Sequence, residues 1–108
     1  PGRKEGQTML TSSARFETPN GSKYLQQLCK HFAHKIEVEF DAHHGRAVLG
    51  PGPVELSADD SGLSVTVSAE DVRGIIEARY VVDKHLVTFA FRDGFSGFAW
   101  RLDETASA

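Results

Sequence analysis

Hydrophobic and polar positions change period several times along the chain, and each change marks a predicted element. Between Ser12 and Thr18 (SSARFET), Ala14 and Phe16 alternate with Ser13, Arg15 and Glu17, the two-residue period of a half-buried strand. Thr18, Pro19, Asn20, Gly21 and Ser22 then form a turn in which Thr18 or Ser22 can cap the free N–H groups of a helix start. From Tyr24 to Lys35 (YLQQLCKHFAHK) the period becomes helical. Leu25, Leu28, Cys29 and Phe32 follow i, i+3, i+4, i+7 and, at about 100° per residue, form one buried stripe. Tyr24, His31 and Lys35 fall on one border of the stripe, with Gln27 and His34 a step nearer solvent. Cys29 lies on the opposite border, roughly 160° from His31, so it is expected as a small buried apolar residue away from the histidines.

Beyond Lys35 the period returns to two. Ile36, Val38 and Phe40 alternate with Glu37, Glu39 and Asp41, and Ala42-His43-His44-Gly45 reads as a hairpin turn. Arg46 to Leu49 forms a short strand, which Gly50-Pro51-Gly52-Pro53 ends because proline cannot donate to a ladder. Val54 to Ala58 and Leu63 to Ala69, joined by Asp59-Asp60-Ser61-Gly62, complete a meander with one apolar face and one wet, carboxylate-rich face. Ser68 to Asp71 (SAED) has capping-box spacing and opens a second helical region. There Val72, Ile75, Ile76, Val82, Leu86 and Ala90 share a broad face, interrupted by Gly74, Arg79 and Asp83. This predicts a bend, or two shorter helices meeting near Ala78 to Tyr80, with Arg79 paired to Asp83 at i, i+4. His85 stands at the border of this face beside Val82 and Phe89, within KHLVTFAF. Asp93-Gly94 stops the helix, and Gly97 to Leu102 (GFAWRL) predicts a closing strand with Phe98 and Trp100 on one face.

The order β-α-β-β-β-β-α-β packs most economically as an α+β domain, a curved antiparallel sheet with both helices on its apolar face. Residues 1–11 are expected to be a disordered leader, 12–102 a single domain and 103–108 a frayed end. The chain opens on Pro1, which makes Met9 a candidate native start.

Composition narrows the classes. The 108 residues, 40% hydrophobic and 25% charged, suit one core. A single cysteine excludes an intrachain disulfide and a multi-cysteine zinc module. No run approaches the roughly 20 apolar residues of a membrane span, and PGRKEGQT lacks a signal peptide's apolar core, so a cytoplasmic protein without a membrane role is expected. A net charge of -3 and core-facing aromatics argue against a nucleic-acid partner. From Ser22 to Lys35, however, there are lysines and histidines and no acid, which places a local cationic patch on the first helix.

The run YLQQLCKHFAHK, the strand block after it, VVDKHLVTFAFRDGF and the final Trp100 together resemble the bacterial family called domain of unknown function 2218. The likeness spans roughly Ser13 to Arg101, and its most specific part is the Cys-Lys-His-aromatic-x-His-Lys run. It implies a small α+β domain, found alone or attached to or encoded near siderophore-interacting flavin reductases, and it implies no catalytic assignment. It departs at Thr88, where the family tends to carry arginine, so no anion-binding role of that arginine carries over.

Three readings of function follow. In the first, Tyr24, Lys30, His31, His34, Lys35 and His85 form a binding surface for a small anionic ligand or for the acidic surface of a partner. A siderophore-interacting flavin reductase is the partner the resemblance implies. In the second, His31 and His34, at i, i+3, meet His85 from the second helix in a zinc or iron site. In the third, a histidine is the general base of a small enzyme. This third class is the least favoured, because there is no glycine-rich phosphate loop, no Gly-x-Ser-x-Gly elbow and no Cys-His pair on one face of the first helix. His43 and His44 are expected in an exposed turn.

Overall fold

Period-two segments become the six strands of one sheet: β1 (Leu10–Glu17), β2 (Val38–Phe40), β3 (His44–Val48), β4 (Pro53–Asp59), β5 (Gly62–Ala69) and β6 (Arg101–Asp103). The structure is a computed structural model and describes residues 9–103. All strand pairs are antiparallel, in the order β2-β3-β4-β5-β1-β6. Two helices, α1 (Gly21–Phe32) and α2 (Val72–Ala90), complete the expected α+β order, with a 3-10 turn at Phe91–Asp93. No helix among the described residues is long and apolar enough to cross a membrane.

Register decides which side chains meet. Val54 opposes Val67, Leu56 opposes Val65 and Ala58 opposes Leu63, so these six share one face. That face is buried against Leu25, Leu28, Cys29 and Phe32 of α1 and Ile75, Ala78, Val82, Leu86 and Ala90 of α2. Each fully buried Leu, Ile or Val contributes about 1.5–3 kcal/mol relative to exposure. The other face is polar but not simply acidic. Arg15 Nη2 meets Asp59 Oδ1 at 2.9 Å and Arg15 Nε meets Glu17 Oε2 at 2.8 Å, while Arg46 pairs with Glu55 at 3.4 Å.

Several local expectations give way to tertiary partners. β1 starts at Leu10, because Leu10 pairs with Ala69 and Thr11 with Ser68, so the last two residues of the expected leader belong to the sheet. Asp103 likewise pairs with Thr11. Residues 1–8 and 104–108 lie outside the described residues. The closing strand shrinks to Arg101–Asp103, since the segment before it is held elsewhere. Phe98 N–H and the Trp100 indole N–H donate to the two oxygens of Asp83 at 3.1 and 3.0 Å, and Phe16, Phe95, Phe98 and Trp100 follow one another edge to face.

Those bonds also explain why Arg79 and Asp83 do not pair. Arg79 Nε donates to the buried Ser12 hydroxyl at 2.9 Å, and that hydroxyl donates to the Arg101 carbonyl at 2.6 Å. α2 runs unbroken for 19 residues. Gly74 falls in its first turn, where its N–H is taken by the Asp71 carboxylate at 2.8 Å, so Asp71 rather than Ser68 is the cap. Ser68 remains in β5. Val72 and Ile76, expected on the apolar face, are exposed.

At the start of α1, Asn20 holds the cap position without a side-chain bond to the helix. Thr18 Oγ1 instead accepts the Asn20 N–H at 3.1 Å, and Ser22 Oγ donates to the Ala42 carbonyl at 2.6 Å. Between β2 and β3, Asp41 Oδ1 accepts the N–H groups of His43 and His44, both at 2.8 Å, and closes a turn that ends at His43, so His44, expected in the turn, opens β3 opposite Ser57. Gly45 lies in β3, where a Cβ would stand 2.7 Å from Cys29 Sγ. Its missing side chain admits the helix; it does not make the turn.

Candidate functional site

The last turn of α1 carries His31 against the middle of α2. The His31 and His85 rings lie with centroids 4.7 Å apart and planes tilted by 45°. Phe32 meets His85 edge to face at 5.6 Å, and Phe89 meets His31 in the same manner at 6.0 Å. His85 Nδ1 is 2.7 Å from the Val81 carbonyl, four residues back on its own helix. A carbonyl can only accept, so Nδ1 carries a proton and the neutral ring presents its lone pair at Nε2. His31 has its pKa lowered, first by burial and then by the positive charges of His85, His34 and Lys35.

Below these rings the chain builds an apolar floor. Phe32 ends α1, and the Ile36 N–H returns to the Phe32 carbonyl at 3.0 Å, which folds Ile36 under the helix end. Leu49, just before the Gly-Pro-Gly-Pro loop, and Val81 of α2 add the remaining surface. The cleft encloses about 460 Å³, with His31, His34, Lys35 and His85 around it. The ion pairs among the described residues lie on the sheet's outer face, and none involves these basic groups.

A larger groove of about 580 Å³ crosses that outer face, lined by His44, Arg46, Glu55 and Ser57 among others. Its lining carries Glu39, Asp41 and Glu55 against Arg46, of which Glu55 pairs with Arg46, so it is an acidic polar surface. The histidine cleft combines an apolar floor with convergent polar groups, the usual character of a small-ligand site, and is the better candidate.

Of the residues singled out in the sequence, His31, His34, Lys35 and His85 come together at the cleft. Lys30 is exposed on the last turn of α1 and does not line it. Tyr24 is buried and turned elsewhere, with its hydroxyl donating to Asp93 Oδ2 at 2.6 Å. Burial first, and then the Asp93 carboxylate, raise the Tyr24 pKa. Cys29 is buried and its thiol is pushed up to about 11 by burial, which keeps it protonated and unreactive at neutral pH. Among the described residues no group of three His, Cys, Asp or Glu side chains is arranged to hold a metal ion. The periodicity did not point to Ile36, Leu49 or Val81 as cleft residues. The available signal was an apolar residue at each edge of an interruption, Ile36 after the helix and Leu49 before Gly50.

No curated protein matches the chain. A similar solved structure is the NMR structure of PA4090 from Pseudomonas aeruginosa, at 28% identity and a TM-score of 0.72, with 86% of this chain and 96% of that chain covered. The model of the family described as "Uncharacterized protein conserved in bacteria (DUF2218)" matches residues 13–101, nearly all of the described chain, and the protein therefore belongs to that bacterial family.

Proposed function

We propose that this is a small binding or accessory domain whose histidine cleft holds an amphipathic organic anion. The observation that carries the reading is the close, tilted His31–His85 ring pair beside an apolar cleft that Lys35 and His34 also line. The floor takes the apolar body of a ligand, and the basic groups take a carboxylate or phosphate. A siderophore carboxylate fits this description, and so does an acidic group presented by a siderophore-interacting flavin reductase. Cys29 packs against Gly45 of β3 and is buried, so it offers no thiol nucleophile beside the histidines.

The test is an NMR titration with 2-naphthoate and, separately, with the neutral 2-naphthalenemethanol. The expected result is movement of the His31 and His85 ring signals and the Ile36 and Leu49 methyls with naphthoate. Affinity should fall in salt and on Lys35→Ala. Equal response to the neutral alcohol, or no response to either, overturns the proposal.

A second reading, zinc or iron held by His31 and His85, is supported by the carbonyl that fixes His85 with Nε2 free, as in many metal-bound histidines. It lacks a third protein ligand among the described residues and stands second. Zinc added to a His43→Ala, His44→Ala variant tests it, and unmoved His31 and His85 rings exclude it.

A further inference from the structure

α2 buries one face and leaves a second apolar row in water. Val72 is 53% exposed, Ile76 58% and Tyr80 62%, and Phe91, directly after the helix, is 56% exposed. With half-buried Val87 they fall within about a 100° arc, on a helix about 28 Å long. Single exposed apolar side chains are ordinary, but a row along a whole helix marks an interaction surface. The row lies on the side of α2 away from His85, so it is distinct from the histidine cleft.

The charges beside the row select the occupant. Glu77 and Lys84, both exposed, stand along the same edge of it, one on either side of Tyr80. We propose that the row is the interface of a two-fold homodimer, with α2 packed antiparallel on α2 of a second copy. A two-fold axis crossing the helix just after Tyr80 brings Val72 opposite Phe91, Ile76 opposite Val87, and the two Tyr80 rings side by side across the axis. The same rotation lays each edge of the row on the same edge of the copy. Glu77 therefore faces Lys84 of the second copy, and the contact occurs twice. In the single chain Lys84 Nζ rests 5.5 Å from the Tyr80 ring, already over the centre of the row. An unrelated helix would need acid and base in the same reversed order to match, whereas a second copy supplies that order by symmetry.

One helix pair gives an interface at the small end of the range, so the dimer is weak and its population depends on concentration. Sedimentation velocity on the full chain, from low micromolar to millimolar, is the test. The wild type should pass reversibly from monomer to dimer, and Ile76→Lys should remain monomeric throughout. Glu77→Lys and Lys84→Glu, each of which sets like charges face to face, should each weaken the dimer about tenfold. The double variant Glu77→Lys with Lys84→Glu should restore it. Circular dichroism should show every variant folded, as expected for exposed positions. A wild type that is monomeric at every concentration overturns the proposal, as does a dimer that Ile76→Lys or the charge reversals leave intact, or a double variant that fails to recover.

Discussion

Tyr24 Oη and Asp93 Oδ2, 2.6 Å apart, join the first turns of α1 to the 3-10 turn that follows α2. The same carboxylate oxygen accepts from Asn20 Nδ2 at 3.0 Å and Thr18 Oγ1 at 3.2 Å, so one side chain ties down the start of one helix and the end of another. Tyr24→Phe keeps the ring in the core and removes the central donor. It should lower the urea midpoint at an unchanged m value, which chemical denaturation checks. A rise in m instead would mean that the denatured state had changed.

Acid should expose this network and a second one. The Asp93 pKa is lowered by the hydrogen bonds from Tyr24, Asn20 and Thr18, and Asp59 is lowered further, first by Arg15 and then by Ser61. Each group therefore stabilises the fold fully above the ordinary carboxylate pKa, and this is lost as pH falls through the depressed folded value. Stability should decline from about pH 5 to pH 2. The Asp59→Asn variant should be less stable at neutral pH and should lose less on acidification, as urea midpoints across that range will read.

His31 titrates with the opposite bias from a histidine that has gained an acidic partner. Its folded pKa is lowered, so the unfolded chain takes up the proton first, and its contribution to stability shrinks as pH falls from the ordinary histidine value through the folded one. His85→Ala removes cover and a like charge together and should move the His31 pKa up towards the ordinary value. Ring-proton NMR across neutral pH measures this. Naphthoate in the cleft should move the same pKa in the same direction, because a bound carboxylate favours the charged ring.

Gly45→Ala should destabilise the domain by about 1–3 kcal/mol, the usual cost of overpacking. The new methyl would meet Cys29 Sγ, 2.7 Å away. Cys29→Ala should recover part of that loss, so a double-mutant cycle should show coupling between the two sites. Strict additivity would place the strain elsewhere.

How much of this was legible depends on how far each residue's partner lies along the chain. Val38 and Phe40, the β3–β4–β5 meander and the α1 stripe at Leu25, Leu28, Cys29 and Phe32 follow local period, and the element order came with them. Arg79 and Asp83 were misjoined because the bonds that separate them come from Ser12 and from Phe98 and Trp100, which i, i+4 spacing cannot represent. Tyr24 was expected at a border of its helix beside His31, whereas it is buried in the core with its hydroxyl on Asp93, a partner a helical wheel cannot represent. The His31–His85 approach followed from packing two helices side by side, but the cleft floor did not, because Ile36 and Leu49 were read as strand residues and instead lie in the connections just outside β2 and β3. On α2, Val72 and Ile76 extend an apolar arc that one sheet and one neighbouring helix are too narrow to cover.

The close seat of Cys29 on Gly45 has a kinetic meaning as well. Cys29 is the chain's one thiol, and a reagent can reach it only when α1 lifts from β3. The rate at which an alkylating agent marks the protein is thus a clock on that separation. It runs in native buffer without any engineered residue, and it reports whether α1 can leave the sheet before the rest of the molecule unfolds.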